Sequence, residues 1–275
     1  MKQTFSLHKI TQSTEFTFDP KEYSKFKFGC KDAAKNFGTD LAIAFYYEML
    51  ANTPIDKPMV VISSPYCFIP TATFAMKDYF IRTLNELLVR DGHAVVQETK
   101  IHRTITYKED YGELSAEDRF KLIQNDGFHL DVEFVKGKTL ILLDDVKITG
   151  SHERVIERML DAYGLQFINR YYVYYGEKTV ESVDPKVENF INYFYVKSLM
   201  DLDRIIKNDN FLLNTRVVKY MLNYDFDEFW MFIQYQKRSF QESVYHLAIG
   251  NSYHLIEDYQ ANLFYLKDLL DENRN

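Results

Sequence analysis

The chain has 275 residues, of which 46% are hydrophobic and 27% are charged, and its formal net charge is −7. That length favours one large domain with an appendage, or two domains. The acidic balance excludes a nucleic-acid binder that works by broad neutralisation of phosphates, so we expect no nucleic-acid partner. It leaves room for a small phosphorylated ligand in a locally positive pocket.

The first residues, MKQTFSLHKITQST, contain no apolar segment of the kind found in secretory signals. No stretch of the chain reaches the apolar length of a membrane-spanning helix. The two cysteines, Cys30 and Cys67, are widely spaced and make no disulfide framework. We therefore expect a cytoplasmic protein with free thiols and no membrane partner.

Segments with the apolar spacing of strands and of helices alternate along the first 176 residues. Residues 1–20 are mixed and polar, apart from the short alternating run TEFTFDP. Thereafter the pattern predicts a helix at 33–50, a strand at 59–64, a helix at 71–90, a strand at 94–98, a helix from Ser115, a strand at 139–143, a helix at 151–163 and a strand at 166–176. Strands that alternate with helices predict an α/β fold, with a parallel sheet that has helices on both faces.

The pattern changes to helices alone after Gly176. Six segments, from DPKVENFINYFYV to SYHLIEDYQANLFYLKDLL, have helical spacing, and no strand-like run separates them. We place a domain boundary near 178–185, so that 1–177 form the α/β domain and 178–275 an all-helical C-terminal domain. The aromatic residues of this second domain, Trp230 among them, recur at helical spacing, which is typical of a core.

The run LILLDDVKITGSHE carries the strongest functional signal. Four apolar residues lead to Asp144 and Asp145, and the residues T-G-S then open a predicted helix. Ligands of open α/β sheets bind beyond the carboxyl ends of the strands, where these aspartates fall. The turn is a candidate phosphate cradle because helix N-termini bind anions, and the carboxylates suit sugar hydroxyls or a metal that also touches phosphate. A phosphorylated ribose fits both the turn, through its phosphate, and the aspartates, through its hydroxyls. The simpler alternative is a strand end with solvated aspartates before a capped helix.

This run resembles the motif of type I phosphoribosyltransferases that binds phosphoribosyl diphosphate (PRPP). The motif is an apolar strand, two acids, an apolar residue and a T-G-small-Thr loop. The resemblance implies that Asp144 and Asp145 are catalytic and contact the ribose 2′- and 3′-hydroxyls, and that the turn binds the 5′-phosphate. The turn consists of Ile148, Thr149, Gly150, Ser151 and His152. Ile148 and His152 depart from the motif, in which a small polar residue and a threonine are usual.

Further segments resemble the same family in order and spacing, so that the resemblance covers roughly 20–175. VVISSPYCFIPT is similar to the first strand and pyrophosphate loop, which implies that Ser64, Pro65 and Tyr66 bind diphosphate. YSKFKFGCKDAAKNFGTDLA is similar to N-terminal helices of related members. KIHRTITYKEDYGELSAEDRF resembles the mobile loop of the ComF-like branch, whose marked positions are Arg103, Leu114, Ser115, Glu117 and Arg119.

Lys100, His102 and Arg103 are further candidate catalytic residues in that loop. Their side chains suit a leaving diphosphate, and closure of the loop over the ligand would exclude water, as mobile lids do. Because residues 100–113 are polar and follow neither apolar period, we expect them to be mobile without a ligand. A solvated loop without function is the alternative, and the sequence favours neither.

The resemblance implies transfer of ribosyl 5-phosphate from PRPP to a nucleobase-like acceptor. Mg²⁺ would be chelated by the diphosphate and the ribose hydroxyls, and no protein metal site is predicted. The alternative function is a noncatalytic protein that binds PRPP or a nucleotide and signals through its helical domain. That domain forms either part of the variable region that holds the acceptor base in this family or a partner-binding module. The sequence leaves open whether the protein forms a homodimer.

Overall fold

The computed structural model describes residues 1–104, 127–207 and 210–272. Its centre is a five-stranded parallel sheet with the strand order β1-β7-β6-β2-β3. An antiparallel pair, β4 with β5, lies beside it. The strands are β1 (Lys2–Ile10), β2 (Met59–Ser63), β3 (Gln97–Glu98), β4 (His102–Arg103), β5 (Phe128–His129), β6 (Thr139–Lys147) and β7 (Arg170–Lys178).

Helices form much of the remaining described chain. The α/β part contains α1 (Pro20–Lys27), α2 (Lys31–Phe45) with a π-helical continuation (Tyr46–Leu50), α3 (Ala72–Arg90), α4 (Val132–Val135) and α5 (Ser151–Ala162). The C-terminal part contains α6 (Val187–Asn192), α7 (Leu199–Ile206), α8 (Thr215–Leu222), α9 (Phe226–Gln234), α10 (Arg238–Gly250), a 3₁₀ turn (Tyr253–Leu255) and α11 (Glu257–Glu272). None of the described helices is long and apolar enough to cross a membrane.

Alternate residues of the central strands point to opposite faces of the sheet. Ile141 and Leu143 of β6 belong to a core that includes residues of α1, α2 and α3. Leu140 and Leu142 belong to a second core, which includes residues of α4 and α5. Helices therefore cover both faces of a parallel sheet, and the predicted α/β fold class is confirmed.

The C-terminal helices share a third core, which confirms the helical content predicted for this part. Phe28 and Ile69, from the α/β part, are fully buried in the same core. A backbone hydrogen bond from Leu212 N to the Gly29 carbonyl, at 2.9 Å, also joins the two parts. The chain passes from β7 to α6 between residues 178 and 187, and a division into two domains there stays a prediction.

The edge strand β1 is the main departure from the sequence prediction. The pattern predicts no strand in residues 1–20, yet Lys2–Ile10 pair with β7 along their length. An edge strand has one side unpaired and is partly solvated. β1 accordingly mixes exposed, half-buried and buried positions and lacks the continuous apolar run that marks the central strands. The helix predicted from Ser115 lies outside the described residues.

The strand β6 extends further than its apolar run. The sequence predicts a strand at 139–143, whereas β6 continues through both aspartates to Lys147. Asp144 and Asp145 therefore lie inside the last part of a strand. Because neighbouring strand residues point to opposite faces, their side chains leave β6 in opposite directions.

Candidate active site

A cleft of about 720 Å³ lies at the carboxyl end of the sheet. The predicted acid pair, phosphate turn and diphosphate loop all line it. The lining residues of the α/β part include Lys27, Ser64, Pro65, Tyr66, Arg103 and the whole of 144–153. The C-terminal helices contribute, among others, Tyr193, Arg216, Lys219, Tyr220, Asn223 and Tyr224. The fold thus brings together three segments whose grouping the sequence only implied through a resemblance.

Asp144 points to the α5 side of β6. Its Oδ1 accepts a hydrogen bond from Ser64 Oγ at 2.5 Å, and its Oδ2 lies 3.3 Å from His152 Nδ1. Burial by itself raises the pKa of this carboxyl, but contacts with His152 and Ser64 and the charge of Lys27 outweigh burial and hold the pKa at about 2. Asp144 is therefore ionised at neutral pH, and it connects the loop 64–66 with the turn 148–152.

Asp145 points to the opposite face, toward α1. Its carboxylate forms an ion pair with the Lys27 ammonium and accepts a hydrogen bond from Tyr23 Oη at 3.1 Å. The exposed fraction of the side chain is 9% for Asp145 and 14% for Lys27, so the ion pair is largely removed from water. Burial, followed by the charge of Asp145, raises the pKa of the Tyr23 hydroxyl, which stays protonated as a donor.

The helix α1 supplies both partners of Asp145. Asp19 caps this helix by accepting from Lys21 N at 2.8 Å, and a proline opens its first turn. Tyr23 and Lys27 are four residues apart and so share one side of the helix. Neither residue is predicted from the sequence, because nothing in the sequence links them to an aspartate that lies 118 residues beyond Lys27.

The turn between β6 and α5 has the chemistry of an anion site. Gly150 is the N-cap of α5 and has φ +67°, a left-handed conformation that suits glycine. Arg154 donates to the Thr149 carbonyl at 2.8 Å and to Ser151 Oγ at 2.9 Å. The first N–H groups of a helix have no acceptor within the helix. A guanidinium, two hydroxyls and a helix N-terminus therefore meet at one turn.

Two other residues of the predicted turn have different surroundings. Ile148 is 7% exposed and belongs to the core that includes residues of α1, α2 and α3, so its side chain anchors the turn. His152 is exposed, and its ring reaches back to Asp144. Arg154 lies beyond the T-G-small-Thr motif and is not predicted from it. Its position one helical turn after the T-G-S run is the signal that could have identified it.

The three candidate lid residues are placed differently. Arg103 lines the cleft. Lys100 donates to the Cys67 carbonyl at 2.6 Å, and its ammonium lies 3.7 Å from the centroid of the Tyr66 ring, so it supports the diphosphate loop. His102 is exposed in β4. Neither His102 nor Lys100 is among the described residues that line the cleft. The remaining lid positions lie outside the described residues: 105–113, Leu114, Ser115, Glu117 and Arg119.

A network of charged residues holds the start of α5. Glu153 pairs with Lys147 at 2.9 Å and with Lys2 at 2.5 Å, and accepts a hydrogen bond from Tyr174 Oη at 2.9 Å. Lys147 also pairs with Glu177 at 3.2 Å. Burial raises the pKa of Glu153, but the bonds from Lys2 and Lys147 outweigh burial and lower it. The network connects β1, β6, β7 and α5, and so fixes the helix N-terminus behind the turn.

The carboxylates of the cleft suit a metal that arrives with a ligand. Within the described ranges, no group of three or more His, Cys, Asp and Glu side chains is arranged to hold a metal. Mg²⁺ typically keeps several waters and uses one or two carboxylates together with substrate phosphates. Asp144 is ionised and lines the cleft, which fits that mode, whereas Asp145 is already paired with Lys27.

Comparisons with known proteins give one family. The family model described as PRTase ComF-like matches residues 1–266, and so includes most of the C-terminal helices. Two crystal structures of a hypoxanthine phosphoribosyltransferase from Staphylococcus aureus are similar at 10% identity. One alignment covers 56% of this chain and 76% of that chain with a TM-score of 0.33, and the other covers 61% and 80% with a TM-score of 0.30. The search of curated proteins finds no match.

Proposed function

The chain belongs to the family of ComF-like phosphoribosyltransferases, and on that premise we propose that it binds PRPP with Mg²⁺ and transfers ribosyl 5-phosphate to a nucleobase-like acceptor. The observation that supports this most is the shared cleft: Asp144, Asp145, the turn 148–152 and the loop 64–66 all line it. A 5′-phosphate in the turn would place the ribose beside the acids and the diphosphate toward the loop.

The transfer needs negative charge near the ribose. The bond from C1 to diphosphate breaks, and diphosphate leaves with the electron pair. A nitrogen lone pair of the acceptor forms the new bond to C1, and a proton on that nitrogen passes to water. Positive charge develops on the ribose ring in the transition state, and preorganised charges are usually the largest catalytic contribution. Asp144, with its pKa held at about 2, is the group we assign to this task.

The other charged residues divide the remaining tasks. Asp145 accepts from a ribose hydroxyl while Lys27 keeps its charge compensated. The turn 148–152 binds the 5′-phosphate, and Arg154 holds this turn through its bonds to the Thr149 carbonyl and Ser151 Oγ. Arg103 faces the diphosphate from the cleft wall. Asp144 is the carboxylate that would hold Mg²⁺, and the metal would neutralise charge on the leaving diphosphate.

The test is Asp144→Asn, which keeps size and removes charge. Turnover should fall about tenfold for each ~1.4 kcal/mol of transition-state stabilisation that is lost. PRPP affinity should change less, because stabilisation of charge that develops in the transition state acts on turnover more than on ground-state binding. The measurements are diphosphate release with PRPP, Mg²⁺ and a base panel, and calorimetric binding of PRPP. The exposed Asp56→Asn serves as the control.

The same measurements separate the enzyme from the sensor. A wild type that binds PRPP with Mg²⁺, yet releases no diphosphate with any base, would support the noncatalytic alternative. A wild type that binds neither PRPP nor a nucleotide would count against both functions. The aspartates would then be the structural end of β6.

A further inference from the structure

Helix α8 has two chemically different faces. One is fully buried in the core of the C-terminal helices and consists of Val217, Val218, Met221 and Leu222. The other lines the cleft and consists of Arg216, Lys219, Tyr220 and the C-cap residue Asn223, hereafter the α8 stripe. The spacing i, i+3, i+4, i+7 puts these four side chains on one side of the helix. The apolar face fixes the helix, and the stripe forms a wall of the cleft.

Aromatic rings extend this wall. The Tyr220 ring centroid lies 6.0 Å from that of Tyr193 and 5.3 Å from that of Tyr224, and both of these also line the cleft. Phe28 packs edge-on against Tyr220 at 5.1 Å from the other part of the chain. The rings are thus held by their neighbours. Rings held in this way offer rigid surfaces on which a planar ligand can stack.

The wall also carries positive charge. Among the described lining residues of α6 and α8, Arg216 and Lys219 are cations and Glu188 is an acid. The Arg216 guanidinium lies 5.4 Å from the centroid of the Tyr193 ring, so charge and ring are side by side. The charge of Arg216 also acts on the hydroxyl of Tyr23, which donates to Asp145. The wall therefore lies within electrostatic reach of the hydroxyl that donates to Asp145.

The phosphates of PRPP have other places in the cleft. The turn 148–152 is suited to the 5′-phosphate, and the loop 64–66 with Arg103 is suited to the diphosphate. The α8 stripe therefore borders the part of the cleft that remains for the second substrate. The adjacent rings of Tyr193 and Tyr220 indicate that this substrate is planar.

We propose that the α8 stripe is the acceptor subsite, and that it selects a planar heteroaromatic acceptor that carries a carboxylate. The inference rests on the proposed transferase function and names its substrate class. Tyr193 and Tyr220 contact the ring, and Lys219 pairs with the carboxylate. The attraction between the Lys219 ammonium and a carboxylate is absent with a neutral analogue, which makes the carboxylate the discriminating feature.

The experiment compares acids with neutral analogues of the same ring. The pairs are nicotinate with nicotinamide and orotate with uracil. Binding to the full-length chain is measured by calorimetry, with and without PRPP and Mg²⁺. At least one acid should bind about tenfold or more tightly than its neutral analogue, because the analogue has no charge to pair with Lys219.

The variants Lys219→Gln and Tyr220→Leu separate charge from stacking. Lys219→Gln should reduce the preference for the acid about tenfold and leave PRPP affinity unchanged. Tyr220→Leu should weaken acid and neutral analogue alike. Lys267→Gln is the matched control, because Lys267 is a half-exposed lysine of α11 that pairs with Asp271 and does not line the cleft.

Each outcome decides the inference. The inference is overturned if neutral analogues bind as well as the acids, or if the Lys219→Gln variant keeps the preference for the acid. PRPP binding in the same experiment would leave the transferase function intact. Acid binding that depends on Lys219 in a chain that binds no PRPP would keep the anion subsite and refute the transferase. If no ring compound binds in either condition, the inference is wrong.

Discussion

Asp144 and Asp145 are neighbours in the sequence, yet the alternation of a β-strand gives them different partners. Asp144 meets Ser64 and His152, both of which line the cleft. Asp145 meets Lys27 and Tyr23 of α1. The charge of Asp145 is thus compensated by Lys27, and we propose that Asp144 is the acid whose charge acts mainly on the ligand.

Asp145→Asn should destabilise the fold more than Asp144→Asn does. It leaves Lys27, which is 14% exposed, without its counter-charge. Removing one partner of a buried ion pair costs roughly 3 kcal/mol or more. Urea unfolding of both variants measures the difference, and Lys27→Met combined with Asp145→Asn should recover part of the loss. Equal stability of the two single variants would contradict the division of roles.

The depressed pKa of Asp144 predicts a pH dependence with a definite sign. Its pKa is about 2 in the folded protein and 3.8 as an ordinary carboxyl. The stabilisation from its ionised form is therefore complete above about pH 5 and is lost as the pH falls through the interval from about 4 to about 2. The difference in unfolding free energy between wild type and Asp144→Asn should change by up to about 2 kcal/mol over that interval. A difference that stays constant from pH 6 to pH 2 would show that this carboxyl is not stabilised by its neighbours.

At the scale of elements, the turn into α5 depends on one left-handed glycine. A Cβ at Gly150 would lie 3.5 Å from Lys147 Cε and 3.7 Å from Arg154 Nη1, which are ordinary contacts. The cost of a side chain there is therefore the φ of +67° and not a steric clash. Relief of that strain would move the turn, and with it the donors that we assign to phosphate.

Gly150→Ala should lose about 1 kcal/mol of stability, because L-residues disfavour the left-handed region. It should also weaken the binding of inorganic phosphate and of PRPP. Gly164→Ala is the matched control, since Gly164 has φ +71°, follows the other end of the same helix and leaves a Cβ in open space, with no atom within 4 Å. Thermal unfolding and calorimetry should show similar stability losses and a loss of affinity only in Gly150→Ala. Unchanged phosphate affinity there would remove the turn from the binding site.

The same elements show how far the sequence alone reaches. The apolar run of β6, the T-G-S turn and the helix α5 are all local patterns, and the sequence predicts each of them. Lys27 pairs with Asp145, and Arg216 lines the cleft. Both residues reach the site through contacts between distant parts of the chain, which the sequence does not show. The stripe of α8 is visible as a spacing, but only tertiary packing decides that its polar face meets the cleft and not solvent. The edge strand β1 escapes prediction because partial solvation removes its apolar signal.

At the scale of the whole molecule, the C-terminal helices help to shape the site as well as to line it. The Asn251 side chain, 5% exposed at the end of α10, accepts hydrogen bonds from Phe68 N at 2.9 Å and Ile69 N at 3.1 Å. These backbone groups belong to the loop that follows β2 and carries the candidate diphosphate residues. Thr215 at the start of α8 adds a bond from its hydroxyl to the Ile69 carbonyl at 2.7 Å.

Asn251→Ala should therefore affect stability and diphosphate binding together. It leaves the N–H groups of Phe68 and Ile69 without an acceptor, and the loss at the buried Ile69 N–H costs about 1–3 kcal/mol. The loop 64–69 would lose its attachment to α10, so that affinity for inorganic diphosphate with Mg²⁺ should fall while affinity for inorganic phosphate at the turn stays. Asn251→Asp is the control for the loop, because it keeps the acceptor oxygen for both N–H groups. Diphosphate affinity should therefore fall less than in Asn251→Ala, whereas burial of the new carboxylate lowers stability in this variant too. Chemical denaturation and calorimetry provide the two readouts. If Asn251→Ala lowers stability but binds diphosphate as the wild type does, the helices hold the fold together without positioning this loop.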